Sequence, residues 1–259
     1  VTTPKQPKAI GRIHRWVRRG FLLWAVTSTG WMVNSMRTQG VDAALLESDE
    51  AVTVTNSAVS LDFVPASPVE GSGLVFLCGA GVAAQAYAPL LRPIAEAGYP
   101  VFIVKLPFRF APLESHKQAA LARARRLLDA HPRIDHWVIA GHSQGGALAA
   151  RLAQTDYAHM AALVLIGTTH PKEDDLSFLR LPVTKVYATE DGIAPSDRVL
   201  ANRALLPAQT RWVAIEGGNH SQFGHYGHQF RDGKASISRE AQQAQTREAL
   251  LDRLIEIGP

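Results

Sequence analysis

The chain has 259 residues, 46% hydrophobic and 19% charged, enough to bury the core of one large α/β domain or two small ones. A mean hydropathy of −0.03 excludes a multi-span membrane protein, the apolar content excludes a disordered chain, and a lone cysteine, Cys78, excludes an intrachain disulfide framework or a cysteine-cluster metal site. The net charge of +4 would suit a nucleic-acid binder, but seven Lys and Arg and no acid precede Asp42, whereas residues 42–259 carry 20 Lys and Arg against all 23 Asp and Glu. A slightly acidic body is a poor match for a phosphate backbone, so no nucleic-acid partner is expected.

The charge division separates a basic, apolar arm over residues 1–41 from a body over 42–259. Within the arm, Gly20 to Met36 is uncharged and carries Phe21, Leu22, Leu23, Trp24, Val26, Trp31, Met32 and Val33. It is shorter than the ~20 apolar residues a spanning helix needs, and Thr27, Ser28, Thr29 and Gly30 dilute it. Three arrangements fit: a short membrane anchor, an interfacial amphipathic helix, or a helix packed on the body. Membrane contact through residues 10–36 is the expectation, with a membrane-anchored or exported location favoured over a cytoplasmic one.

From residue 51 the pattern alternates β-branched runs with helical stretches. Residues 51–55 and 59–64 alternate apolar and polar around Asn56-Ser57, which predicts a hairpin. Continuous apolar runs at 74–77, 101–104, 137–140, 163–166, 183–188 and 212–215 predict strands buried on both faces of a parallel sheet. Helices are expected at 86–97, 113–130, 145–154, 196–206 and 238–257. This is a doubly wound, mostly parallel α/β fold with an antiparallel N-terminal hairpin. Only a short connection separates 166 from 183, so no large cap domain is expected.

The strongest chemical signal is Gly141-His142-Ser143-Gln144-Gly145-Gly146, directly after the strand at 137–140 and opening a small-residue helix. A serine held on a sharp strand-to-helix turn needs glycines beside it so that backbone can approach. Its hydroxyl is a weak nucleophile and requires a histidine base oriented by a carboxylate. On this architecture acid and base follow in chain order on loops after later strands. After 183–188, Glu190, Asp191 and Asp197 compete; Asp191 is favoured because Gly192 permits a tight turn and Pro195 starts a helix holding Asp197. After 212–215, His220 is the first histidine, on the loop Glu216-Gly217-Gly218-Asn219, with His225 and His228 as rivals. His142 is read as structural, its side chain pointing away from the elbow. Two backbone N–H groups should face the developing oxyanion: Gln144, and from Cys78-Gly79-Ala80-Gly81 either Ala80 or, second, Gly81. Phe108, Phe110, Phe178 and Phe223 are the aromatics expected to line an open cleft. No metal site and no cofactor are expected.

The residues at this point resemble the serine α/β-hydrolases, in particular the compact bacterial-type subgroup related to dienelactone (carboxymethylenebutenolide) hydrolases. The resemblance spans about residues 46–257. It rests on Glu47-Ser48-Asp49, Val52-Thr53-Val54, Tyr87-Ala88-Pro89, Val104-Lys105-Leu106-Pro107 and the elbow. The tail Gly217-Gly218-Asn219-His220-Ser221-Gln222-Phe223-Gly224 and Tyr226-Gly227 is its most specific part, and Asp232-Gly233 and Ile237-Ser238 follow it. It implies Ser143, Asp191 and His220 as a triad and an N-terminal anchor or export signal. The sequence departs from it at Cys78-Gly79-Ala80-Gly81, where the family more often has Pro-Gly-Gly. The activity expected is cleavage of a small-molecule carboxylic ester through an acyl-enzyme. An acyltransferase or perhydrolase on the same triad, or a catalytically silent binding protein of this fold, are the alternatives.

Overall fold

The computed structural model describes residues 9–154, 160–172 and 174–258; Lys5 and Lys8 of the basic arm lie outside them. The antiparallel start forms as the alternation requires. Strands β1 (Val52–Asn56) and β2 (Ser60–Pro65) pair with Val52 opposite Pro65. Ser57 Oγ closes the turn by accepting the Val59 and Ser60 N–H groups.

Six parallel strands follow: β3 (Gly71–Leu77), β4 (Val101–Val104), β5 (Ile134–His142), β6 (Met160–Ile166), β7 (Val183–Ala188) and β8 (Arg211–Ile215). The sheet order is β1-β2-β4-β3-β5-β6-β7-β8. β4 is wholly buried and β5 is buried from Trp137 onward, as expected for strands covered on both faces. Helices α2 (Ala88–Glu96) and α6 (Arg239–Ile257) pack together, as do α3 (Glu114–Ala130) and α4 (Gln144–Ala153), and both pairs cover the sheet. The strand order reverses between β3 and β5. Loops leaving the C-terminal ends of β3, β5, β6, β7 and β8 therefore converge at one edge, where a parallel sheet places its ligand crevice. Among the described residues, no large cap domain lies between β6 and β7.

The helix expected at 196–206 ends early. Helix α5 (Ser196–Ala201) stops where Asn202 leaves helical geometry and donates its side-chain Nδ2 to Thr169 O at 2.8 Å; a short 3₁₀ turn, Arg203–Leu205, follows.

The described part of the arm contains one helix, α1 (Ala9–Ser35). Eleven of its large apolar side chains are exposed, from Trp31 at 46% to Trp16 and Val26 at 70%. Among the described residues, the contacts of this helix with the body lie at its C-terminal end. There Trp31 packs edge-on against Phe230 at 6.1 Å, Ser35 is buried, and Arg109 Nη2 donates to Met36 O at 3.0 Å. The docked-helix arrangement therefore holds for the last turns alone. No helix among the described residues is long and apolar enough to cross a membrane, which removes support from the spanning arrangement. The polar run Thr27 to Gly30 interrupts the apolar stretch too near its middle.

Candidate active site

Ser143 stands between β5 and α4 with φ 55° and ψ −117°, a region that non-glycine residues seldom occupy and that must be enforced by its surroundings. The enforcement is steric. A Cβ on Gly145 would fall 2.0 Å from Leu77 O, and one on Gly141 would fall 2.3 Å from the Gly145 backbone. The elbow can press against β3 only because neither position carries a side chain. Ser143 N–H donates to Ile166 O at 2.9 Å, which fixes the turn to β6. The helix that begins at Gln144 directs its positive end toward the serine.

Asp191 sits in the tight turn after β7. Its Oδ1 accepts the Ile193 and Ala194 N–H groups at 2.8 and 2.6 Å, and its Oδ2 lies 2.8 Å from His220 Nδ1. Both side chains are fully buried. A carboxylate oxygen only accepts, so the His220 proton belongs on Nδ1 and Nε2 presents a lone pair. That Nε2 is buried and has no hydrogen-bond partner among the described residues, Ser143 included. Ser143 and His220 line the same cleft. Glu190 is exposed, and Asp197 is exposed in the first turn of α5. Of the rival histidines, His225 has its ring beside Gly40, and His228 faces a separate hollow with Asn219 and Lys234. Neither lines the Ser143 cleft.

Three residues without a role in the sequence reading hold these loops. Asp232 Oδ1 accepts His220 N–H at 3.1 Å and Gly192 N–H at 3.2 Å, while Oδ2 accepts Ser221 N–H at 2.8 Å. One carboxylate thus staples the acid loop to the base loop. Gln242, wholly buried on α6, accepts Asn219 N–H at 3.0 Å and donates to Asn219 O at 2.7 Å. Tyr226 Oη donates to His220 O at 3.1 Å. Asp232-Gly233 was visible as a motif, but nothing in the pattern of α6 distinguishes Gln242 from a surface glutamine.

On the loop after β3, Gly79 N–H donates to Tyr87 Oη at 3.0 Å, Gly81 N–H to Arg109 O at 2.8 Å, and Val82 N–H to Gly79 O at 3.2 Å. Ala80 N–H, like Gln144 N–H at the start of α4, has no partner among the described residues. Gly81, the second choice for a donor, is thereby occupied. Gln144 lines the cleft; Ala80 is half-buried and is not among the lining residues.

The cleft has a volume of about 520 Å³. Of the four aromatics expected there, only Phe110 lines it. Phe223 is wholly buried, 5.3 Å from the His142 ring, because the 3₁₀ turn after His220 directs it inward. Phe108, at a left-handed φ of 52°, packs on His116 beside a different hollow, and Phe178 is exposed away from the cleft. The wall is instead built by Ala111, Leu148, Thr168 to His170, Ile193 and Ala194, with Lys117, Arg151, Lys172 and Asp174 around it. A larger hollow of about 690 Å³ lies at the opposite ends of the strands and holds none of these groups. Cys78 is buried, and burial pushes its thiol up to about 12, so it carries no thiolate at neutral pH.

No curated protein matches this chain. Among solved structures, a ferulic acid esterase from Streptomyces cinnamoneus is 19% identical with a TM-score of 0.61, over 73% of this chain and 68% of the other. A dienelactone hydrolase-like protein from Klebsiella pneumoniae is 16% identical with a TM-score of 0.58, over 78% and 98%. Est1E from Butyrivibrio proteoclasticus is 13% identical with a TM-score of 0.54, over 78% and 98%. At such identities these likenesses concern the fold. The model of the alpha/beta hydrolase family matches residues 73–244, about two thirds of the chain, and this chain belongs to that family.

Proposed function

We propose that this member of the family is a serine hydrolase that cleaves carboxylic esters through an acyl-enzyme. Ser143 Oγ attacks the carbonyl carbon as His220 Nε2 takes its proton, and Asp191 holds the imidazole and stabilises the imidazolium. The tetrahedral oxyanion receives hydrogen bonds from Gln144 N–H and Ala80 N–H. Collapse expels the alcohol, protonated by His220; water then repeats the sequence and releases the acid. The observation that carries this reading is the buried 2.8 Å Asp191–His220 pair, whose histidine has an Nε2 without a partner among the described residues and lines the same cleft as a serine held at φ 55°.

Every group in this scheme belongs to residues 42–259, and the arm supplies none. The exposed Trp16, Phe21 and Trp24 on α1, with Arg15, Arg18 and Arg19 and no acid, support contact of the arm with an anionic lipid interface.

The test is a p-nitrophenyl ester series from acetate to laurate beside the matching anilides, with and without a competing alcohol. Saturable ester hydrolysis exceeding anilide cleavage supports the reading. Ester formation from the alcohol in preference to hydrolysis would assign an acyltransferase, and no turnover of any ester would defeat the proposal.

A further inference from the structure

His142 precedes the candidate nucleophile, and the scheme above gives it no task. Its side chain is wholly buried, and its Nδ1 lies 2.9 Å from Tyr87 Oη. The same phenolic oxygen accepts Gly79 N–H at 3.0 Å. Tyr87 has one proton to donate, and His142 Nδ1 is its only acceptor among the described residues. With Tyr87 as the donor, His142 is a neutral ring whose proton falls on Nε2, a buried atom with no hydrogen-bond partner among the described residues. Burial, and next the adjacent His220, hold its basicity well below the usual histidine range. The His142 ring also packs on the His220 ring with centroids 4.6 Å apart.

The other end of this chain of bonds reaches the loop after β3. Gly79 is pinned twice, its N–H by Tyr87 Oη and its carbonyl by Val82 N–H. The peptide between Gly79 and Ala80 is planar, so fixing the Gly79 carbonyl fixes the direction of Ala80 N–H. One continuous path thus joins the residue before Ser143 to the peptide bearing the second N–H, and its imidazole packs against the base.

We infer that His142 and Tyr87 form a positioning unit that locks the loop after β3 to the nucleophile elbow, so that Ala80 N–H and Gln144 N–H are aimed together before an oxyanion forms. The inference rests on the Ser143–His220–Asp191 reading. Neither residue exchanges a proton with substrate; both act through the groups they hold. Such fixed donors stabilise developing charge without reorganising during the reaction, which is where hydrogen bonds contribute most to rate.

Tyr87→Phe removes one oxygen and keeps the ring that packs on Phe76 at 4.8 Å. The expected result is a kcat lowered about 10- to 100-fold, less than outright deletion of an oxyanion donor, with KM changed by less than about twofold. Affinity for a boronic acid transition-state analogue should fall by the same factor as kcat. His142→Asn keeps an acceptor near the Nδ1 position, whereas His142→Leu keeps only bulk; the Asn variant should recover most of what the Leu variant loses. Tyr87→Phe with kcat and analogue affinity within about twofold of wild type would overturn the inference. So would equal activity of His142→Asn and His142→Leu, a comparison that stands even if Tyr87→Phe folds poorly. Fluorophosphonate labelling of wild type separates the two levels. An unlabelled Ser143 defeats the triad and this unit together, while a labelled Ser143 with an unimpaired Tyr87→Phe defeats the unit alone.

Discussion

Asp191→Asn tests the acid through the two sides of one carboxylate. Oδ1 faces two backbone donors, Ile193 N–H and Ala194 N–H, while Oδ2 faces His220 Nδ1. An asparagine has one oxygen to satisfy both sides. Leaving both N–H groups without an acceptor, that of Ala194 in a buried bond and that of Ile193 in a part-buried one, costs up to about 1–3 kcal/mol each, more than one unmade bond to the imidazole. The amide will therefore keep its oxygen on the turn and direct its NH₂ at His220 Nδ1. That forces Nδ1 to accept and moves the imidazole proton to Nε2, where it blocks removal of the Ser143 proton. The loss should be about 10⁴-fold in kcat, the scale of a wrong tautomer, or about 5 kcal/mol of transition-state stabilisation. The assay is kcat and KM on p-nitrophenyl butyrate for wild type, Asp191→Asn and Glu190→Gln, with thermal melting as the control for folding. Because Glu190 is exposed, its variant should stay within about twofold. A folded Asp191→Asn enzyme within about tenfold of wild type would refute the reasoning.

Lys185, wholly buried in β7 with its ammonium on His170 O, is pushed by burial from 10.5 down to about 7. Its folded pKa lies below its unfolded one, so across roughly pH 7 to 10.5 the unfolded chain binds more protons and stability rises with pH; below that window the full penalty applies. Lys185→Met should remove a penalty of a few kcal/mol, against about 1–3 for the carbonyl left unpaired. Urea unfolding should show a flatter pH dependence than wild type between about pH 7 and 10, and an unchanged slope would contradict the assignment. Deleting residues 1–30 should abolish flotation of the chain with vesicles containing phosphatidylglycerol, yet leave kcat on a soluble ester within about twofold, since only the last turns of α1 touch the body. Failure of the full chain to float, with a sharply lowered melting temperature on truncation, would show instead that α1 is a packing element.

Strands buried on two faces announce themselves as unbroken apolar runs, which is why β4 and β6 could be located from sequence. The hairpin was legible from alternation around Asn56-Ser57. The meeting of Asp191 with His220 was legible for a topological reason: parallel strands deliver successive loops to one edge of the sheet. Side-chain direction within loops was not legible. Phe223 and Phe110 have the same chemistry, but a 3₁₀ turn directs one into the core and left-handed residues at 109 and 111 flank the other beside the cleft. Lys185 contradicts its own run, a charged group inside a buried strand whose acceptor lies on another loop. Asp232, Gln242 and Tyr87 act through backbone groups 8 to 40 residues away. Such partnerships leave no periodic trace. Exposure of α1 likewise depends on where the body ends, which local hydrophobicity does not encode.

The central claim is that Ser143 is a nucleophile activated by His220. The most direct measurement is the intact mass of the protein after a fluorophosphonate, with peptide mapping of the adduct, for wild type, Ser143→Ala and His220→Ala. The account predicts one phosphonyl group per wild-type chain, on Ser143, none on Ser143→Ala, and strongly slowed labelling of His220→Ala. No adduct on wild type, an adduct on another residue, or ester turnover surviving in Ser143→Ala would contradict it.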